Sequence, residues 1–377
     1  MGIASLTAQQ EDLQNLAAAS RLRKLAPRQG IDFSSNDYLG FATSGILIDV
    51  ARNALDRGVP LGSGGSRLLR GNDAEHEALE AHAAQFFQSE AALFFPTGFA
   101  ANSALLSTLP QRGDIILYDE LIHASCHEGM RLSRATRQSI GHNDPGQFAD
   151  ALATWRREGG TGTPWLLVES LYSMDGDIAP LHELHALADA YDAILVVDEA
   201  HTTGVLGGAG RGLSSALPHR DNVITLHTLG KALGCEGALL CGPAVMRDFL
   251  VNRGRAFIFS TAPSPLMAAV ACAALEHCAS ADERRGELAR RITHASESFV
   301  ALGAVPSGSQ IMPLIIGEDS QAMAVAAHVQ AAGFDVRGIR PPTVPEGTAR
   351  LRVSITLNVS DDEVTSLATC LQEIWNR

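Results

Sequence analysis

The residues able to do chemistry in this chain stand at the ends of short apolar runs. Lys231 lies in Thr228-Leu229-Gly230-Lys231-Ala232-Leu233-Gly234, just after the run Val223–Leu226. A Gly-flanked, nearly uncharged loop solvates an ammonium poorly, which favours the neutral amine and its attack on carbonyls. Most loop lysines are simply hydrated, so Lys231 draws its interest from its neighbours. A nucleotide-binding P-loop is excluded, because Ala232 stands where the magnesium-ligating Ser or Thr must follow Gly-Lys. Asp198-Glu199-Ala200-His201 ends a second run with a carboxylate and places an imidazole three residues on. The same four letters occur in helicases, but those also need a P-loop. A buried carboxylate at a strand end must find a positive partner or a strong donor, and a pyridinium nitrogen is one such partner. Pro96-Thr97-Gly98-Phe99-Ala100-Ala101-Asn102 reads as strand end, small-residue turn and helix start. Free N–H groups at a helix start attract phosphate. His123 and His127 are four apart, as in a metal pair, yet no HExxH pattern or third ligand accompanies them. Lysine, strand-end acid, histidine and phosphate-binding helix start are together the parts that hold pyridoxal phosphate (PLP). That cofactor is an electron sink, bound through a lysine Schiff base and an acidic partner for its ring nitrogen.

These groups need a scaffold that gathers strand ends. From Glu90 to about Leu240 short apolar runs alternate with helical segments: Ala91–Phe95, Ile115–Leu117, Trp165–Val168, Ile194–Val197, Val223–Leu226 and Ala238–Leu240. The alternation predicts an α/β fold, a mainly parallel sheet covered by helices on both faces. Such sheets bind ligands at the carboxyl ends of their strands, where Glu169, Asp198 and the Thr228–Lys231 loop fall. Upstream, helical spacing from Ser5 to Leu25 predicts an N-terminal arm with a basic end, followed by an extended entry through Phe33–Gly40 and the glycine-rich loop Gly62–Arg67. A helix is expected over Ala74–Phe87. A long helical region from Met267 to about Leu302 leads to a smaller α+β part with strands at Gln310–Ile316 and Leu351–Ile355 and a last helix over Asp361–Trp375. The expected division is an arm over 1–35, a large domain over 36–275 and a small domain over 276–377.

A chain of 377 residues can build a large core, and its net charge of -13 disfavours broad binding to nucleic acid or anionic membranes. The six cysteines show no C-x-x-C pair and no metal spacing, which reads as reduced thiols in a cytoplasmic protein. No leader or membrane-length apolar run is recognised.

Several longer motifs stand in order: Asn36-Asp37-Tyr38-Leu39-Gly40, Gly62-Ser63-Gly64-Gly65-Ser66-Arg67, Thr97-Gly98-Phe99-Ala100-Ala101-Asn102, His123-Ala124-Ser125, Glu169 through Asp177, Asp198-Glu199-Ala200-His201 and Thr228-Leu229-Gly230-Lys231. Through them nearly the whole chain resembles the α-oxoamine synthases, PLP-dependent enzymes of fold type I, the aspartate aminotransferase-like fold. Ile339-Arg340-Pro341-Pro342-Thr343-Val344-Pro345, with Thr348–Arg352 and His142-Asn143-Asp144, looks most like the biotin-pathway branch. That branch joins L-alanine to a pimeloyl thioester of CoA or a carrier protein.

The resemblance implies a role for each matching residue. Lys231 would bind the cofactor covalently, Asp198 would pair with its ring nitrogen, and His123 would stack on the ring. His201 and Ser173 would lie near its phenolic oxygen. Gly98, Phe99 and Thr228 would hold the phosphate, with Thr261 reaching the phosphate of a partner subunit in a homodimer. Arg352 would bind the amino-acid carboxylate, and Arg340, Thr343 and Arg23 would lie near the acyl thioester or product. Other readings are a related synthase using glycine or serine, an aminotransferase on the same fold, and a non-enzymatic α/β scaffold.

Overall fold

The computed structural model describes residues 6–304 and 307–375. After a two-residue extended segment, β1 (Ile31–Asp32), seven strands build the main sheet. They are β2 (Ala91–Phe95), β3 (Ile115–Asp119), β4 (Thr136–Ile140), β5 (Pro164–Glu169), β6 (Ile194–Asp198), β7 (Val223–Thr228) and β8 (Ala238–Gly242). Their order is β2-β8-β7-β6-β5-β3-β4. All neighbours from β7 to β4 run parallel, and β8 pairs antiparallel with β7 and β2.

The strands read as continuous apolar runs because both faces are covered. Side chains alternate across the pleat. On β5 and β6, Leu167 and Val196 pack with Leu105 of the helix Gly98–Thr108. Leu166, Val168, Leu195 and Val197 point the other way, into a cluster with Phe148, Leu152 and Leu184 of the helices Pro145–Arg157 and Leu181–Ala190. The helix starts are fixed locally: Thr97, Asp73 and Asp144 each accept a backbone N–H through the side chain as N-caps. The edge strand β4 was absent from the expected runs. Its first four residues, Thr136–Ser139, are exposed and polar, so it carries no apolar pattern.

The sheet belongs to a unit formed by Asn36–Ser173 and Asp177–Gly286. A second unit takes in the chain up to Ser35, Met174–Gly176 and the chain from Glu287 onward. Its strands are β9 (Ile311–Gly317), β10 (Phe334–Asp335), β11 (Arg337–Ile339) and β12 (Ala349–Ser354), with β11-β12-β9 antiparallel. Residues 1–35, expected as a separate arm, group with this unit. The reason is main-chain pairing: β1 lies parallel to β10, and Ser354 N–H donates to Phe33 O. The sheet-bearing unit runs to Gly286 rather than to 275. The first helix covers only Thr7–Ala18; it buries no residue, and Ser20 takes a positive φ of 56°. Residues 1–5 of the expected arm lie outside the described residues. The long helical region is two helices, Pro265–Ala279 and Asp282–Val300. All six cysteines are free thiols, and no helix among the described residues is long and apolar enough to cross a membrane.

Candidate active site

The carboxyl ends of β5, β6 and β7 and the turn after β2 open onto one cleft of about 360 Å³. Gly98, Phe99, His123, Asp198, His201, Thr228 and Lys231 line it, joined by Asn36, Asn102, Ser125 and Glu169. The sheet explains the convergence, because parallel neighbours end on the same side.

Lys231 sits on the turn between β7 and β8. Leu229 N–H donates to Gly237 O at 2.9 Å and Cys235 N–H to Leu229 O at 2.8 Å, which closes the turn. Gly234 is needed there: its φ is +66°, and a Cβ would stand 2.4 Å from Ala42 N. Lys231 Nζ lies 2.7 Å from His201 Nε2, and His201 Nδ1 lies 2.7 Å from Tyr38 Oη. Tyr38 donates its hydroxyl proton to Asn36 Oδ1 at 2.9 Å. A hydroxyl has one proton, so Tyr38 then accepts from His201 Nδ1–H, and Nε2 is left as the acceptor for the Lys231 amine.

Asp198 is 5% exposed. Its Oδ1 accepts from Ala200 N–H at 2.9 Å and its Oδ2 from Asn102 Nδ2 at 2.8 Å. Asn102 Nδ2 also donates to Ser125 Oγ at 3.0 Å, and Ser125 Oγ lies 2.8 Å from His123 Nδ1. Ser125 N–H points at the same nitrogen, so His123 Nδ1 is an acceptor and the ring proton is on Nε2. Burial, with the Lys231 charge, lowers the His123 pKa against the pull of Asp198. The His123 ring and the Asp198 carboxyl group are thus joined through Asn102 and Ser125.

Behind His123 lies a further charged cluster. Asp119, the last residue of β3, accepts from Asn143 N–H at 2.7 Å and Leu121 N–H at 2.9 Å. His142 bridges it to Asp177, with Nδ1 3.0 Å from Asp119 and Nε2 2.7 Å from Asp177. Burial opposes the charge on His142, but its hydrogen bonds to the two acids outweigh burial and push its pKa up to about 10. This clasp ties the turn leading to His123 to the segment that follows Tyr172. His127 is turned to Tyr118, with ring centroids 5.4 Å apart and edge to face.

The other expected site residues fall elsewhere. Ser173 is buried and donates its N–H to Glu169 Oε2 at 3.1 Å, but it is not among the cleft-lining residues. Thr261 lines a separate small pocket with Arg67 and Phe257. Its loop is tied to the glycine-rich loop: Ala262 N–H donates to Gly65 O, and Pro263 O accepts from Ser63 Oγ and His76 Nε2. Arg23, Arg340, Thr343 and Arg352 all belong to the second unit. Arg23 Nη2 donates to Thr343 Oγ1 at 3.1 Å, Arg340 to Leu22 O at 2.8 Å, and Arg352 to Ser354 Oγ at 2.7 Å. Glu169 was expected at the strand ends and Asn102 within the Thr97–Asn102 motif, but neither was given a role in the site. The signals were present: Asn102 is a polar residue on the first turns of an otherwise apolar helix, and Glu169 is a second strand-end acid.

Three buried oxygens on residues lining this cleft have no hydrogen-bond partner among the described residues: Asn102 Oδ1, Glu169 Oε1 and Thr228 Oγ1. PLP carries a phosphate, a ring nitrogen and a phenolic oxygen beside its aldehyde. The helix start at Gly98 with Thr228 suits the phosphate, Asp198 suits the ring nitrogen, and Lys231 suits the aldehyde. The donor set therefore fits PLP.

A mostly parallel sheet bringing this lysine, acid and helix start together defines a PLP-dependent transferase of fold type I. The chain belongs to the aminotransferase class I and II family, whose model matches residues 28–371, and within it to the α-oxoamine synthases. It is 41% identical over 342 residues to a putative 8-amino-7-oxononanoate synthase of Bacillus licheniformis, covering 90% of this chain and 89% of the relative. It is 40% identical over 348 residues to the 8-amino-7-oxononanoate synthase of Marinobacter nauticus, covering 91% and 87%. Among solved structures, the Sphingomonas wittichii serine palmitoyltransferase is similar with a TM-score of 0.88 and 28% identity, covering 98% of this chain and 96% of that one.

Proposed function

We propose that this chain is a PLP-dependent 8-amino-7-oxononanoate synthase. It condenses L-alanine with pimeloyl-CoA, or a pimeloyl-carrier protein, releasing the thiol and CO2. The observation that carries the reading is the Lys231–His201 pair at 2.7 Å beside an Asp198 supplied with two donors. It stands in a chain about 40% identical over nine-tenths of its length to relatives of that name.

Lys231 would hold the cofactor, with Asp198 at its ring nitrogen, His123 against the ring, and Gly98, Phe99 and Thr228 at its phosphate. When bound, the cofactor stabilises negative charge developing at the amino-acid Cα. The Lys231 amine would serve as the base for the Cα proton, with His201 Nε2 at 2.7 Å placed to receive a proton from it. Asn102 and Ala200 both donate to Asp198 and fix the orientation of its carboxyl group. The new Cα–acyl bond forms as the C–S bond breaks; loss of CO2 from the former carboxylate and return of a proton to Cα complete the balance. The family resemblance assigns Arg352 to the alanine carboxylate, for which a guanidinium fork is suited, and Arg23, Arg340 and Thr343 to the acyl thioester or product. The protein works as a cytoplasmic homodimer, with Thr261 reaching the partner's phosphate.

The likeness to serine palmitoyltransferase favours a second reading, serine with a longer acyl-CoA. The curated relatives argue against it: those named 8-amino-7-oxononanoate synthase are about 40% identical over nine-tenths of this chain. The test is thiol release by the purified protein with pimeloyl-CoA and alanine, glycine or serine in turn. Alanine must give the highest kcat/KM; a preference for serine with palmitoyl-CoA overturns the proposal. A keto-acid product without thiol release would mark an aminotransferase.

A further inference from the structure

A second group of chemistry-bearing side chains stands at the other end of the main sheet. The helix Leu181–Ala190 leads into the amino end of β6, and the loop 217–222 leads into the amino end of β7. The cleft opens at the carboxyl ends of the same strands. His185 and Asp189 are four residues apart on that helix and so share a face. His219 comes from the loop. Each of the three offers one ligand atom, and these atoms all lie within 4.8 Å of one another. Asp189 Oδ2 is 3.0 Å from His219 Nε2 and 3.7 Å from His185 Nδ1. Donors around a tetrahedral ion, bound at about 2.0–2.1 Å, stand roughly 3.3–3.4 Å apart. The two separations straddle that value.

An ordinary ion pair accounts for the contact between His219 and Asp189, but it leaves His185 unexplained. His185 is 3% exposed, and its Nε2 is buried without a hydrogen-bond partner among the described residues. Its Nδ1, at 3.7 Å from the acid, is beyond hydrogen-bond range. An imidazole buried with neither nitrogen engaged has given up its hydration without return, and a metal ion supplies the missing partner. Asp189 is oriented for such a role. Its Oδ1 accepts from Asn222 Nδ2 at 3.0 Å, and the same amide donates to Ala193 O at 3.3 Å. That leaves Oδ2 to the two imidazoles, as outer hydrogen bonds orient ligating carboxylates at metal sites. The carboxylate stands in the last turn of its helix, where unpaired carbonyls favour a cation. Arg220, the loop's own cation, is engaged elsewhere, on Phe87 O and Thr225 Oγ1.

We propose that His185, Asp189 and His219 bind one divalent ion of the zinc class, with a further position open to water. Two imidazoles and one carboxylate suit Zn2+, Co2+, Ni2+ or Cu2+; Mg2+ and Ca2+ prefer shells built of oxygen alone. The ion fastens the loop before β7 to the helix before β6. None of the three ligands lines the cleft, so the assignment stands apart from the PLP reading. His82, Cys272 and Glu276 also bring ligand atoms within 4.8 Å of one another, and they are the competitor that the test must exclude.

The test uses tag-free holoenzyme dialysed against a chelator, titrated calorimetrically with Zn2+ near neutral pH and followed with Co2+ through its visible ligand-field bands. The wild type should take up one equivalent per chain in the presence of a large excess of Mg2+. His219→Ala and Asp189→Asn should each weaken that binding by about hundredfold or more. Asn222→Ala, which only frees the carboxylate, should weaken it by about tenfold. Cys272→Ser should leave it unchanged. Urea unfolding without metal shows whether each variant folds, and His219, 48% exposed, is the ligand whose loss disturbs packing least. No uptake by the wild type, uptake that both His219→Ala and Asp189→Asn leave unchanged, or a loss confined to Cys272→Ser overturns the proposal. Displacement by Mg2+ overturns the assignment to the zinc class.

Discussion

Asn102 donates a side-chain hydrogen bond to Asp198, and its removal has a calculable cost. It is 2% exposed, and its amide donates to Asp198 Oδ2 at 2.8 Å and to Ser125 Oγ at 3.0 Å. A hydrogen bond to an ionised group contributes about 1.5–3 kcal/mol and a neutral one about 0.5–1.5 kcal/mol. Asn102→Ala loses both and leaves Asp198 with the Ala200 N–H alone, so the fold should lose about 2–4 kcal/mol. The same change lets the Asp198 carboxylate turn and unlinks it from His123, so PLP should bind about tenfold more weakly, the equivalent of 1.4 kcal/mol. Urea unfolding gives the first quantity and equilibrium dialysis against PLP the second. Asn102→Asp is the sharper variant, since it keeps the shape and sets a second acid against Asp198; it should hold PLP less well than Asn102→Ala. A loss of stability below about 0.5 kcal/mol with unchanged PLP affinity, in the range of an ordinary surface change, would show that Asn102 does not hold Asp198.

Lys231→Ala should leave the fold intact and abolish the borohydride-reducible cofactor; reduction at another single lysine would refute the assignment. His142→Gln should remove a clasp of two charge-assisted hydrogen bonds worth roughly 2–3 kcal/mol together, discounted because His142 is 23% and Asp177 40% exposed. The folded pKa of His142 is raised from 6.5 to about 10, so this stabilisation is complete below pH 6.5 and is lost as pH rises through about 10. The stability gap between wild type and variant should therefore be widest near pH 6 and close toward pH 10; a gap that widens with pH would reverse the assignment. Arg340→Ala should raise KM for pimeloyl-CoA and Arg352→Ala KM for alanine, each by about ten- to hundredfold in kcat/KM; weakening of the same substrate by both variants would refute the division.

Much of the sheet was legible because of where its strands lie. The central strands β5 and β6 are buried on both faces, so each appears as an apolar run ending in a single polar group, Glu169 or Asp198. β4 was illegible for the complementary reason, since an edge strand that leaves Thr136–Ser139 exposed has no pattern to find. The N-terminal helix overran in the sequence reading because spacing alone does not show that the residues of Thr7–Ala18 stay unburied. Lys231, His201 and Asp198 were legible as types in motifs, but the bonds that tune them were not. The Tyr38–His201 contact joins residues 163 apart, and the Asn102–Asp198 contact residues 96 apart. Only the strand register reveals that Glu169 stands beside Asp198.

The arginines show where residue type misleads. Arg340 was expected near the acyl thioester, and its guanidinium donates to the carbonyls of Leu22 at 2.8 Å and Gly338 at 3.3 Å. Each is an ordinary main-chain acceptor, so part of its donor capacity already joins the N-terminal segment to β11. A substrate anion would compete for a guanidinium that is 8% exposed and already half engaged, whereas among the described residues Arg23 donates to the exchangeable hydroxyl of Thr343. If Arg340 mainly fastens the N-terminal segment, Arg340→Ala should lower stability and Arg340→Lys should restore part of it, because an ammonium can still reach one carbonyl. If it binds the acyl thioester, stability should hold while KM for pimeloyl-CoA rises, and Lys should rescue poorly at a site built for a two-pronged donor. Measuring unfolding and KM on the same two variants decides which role dominates.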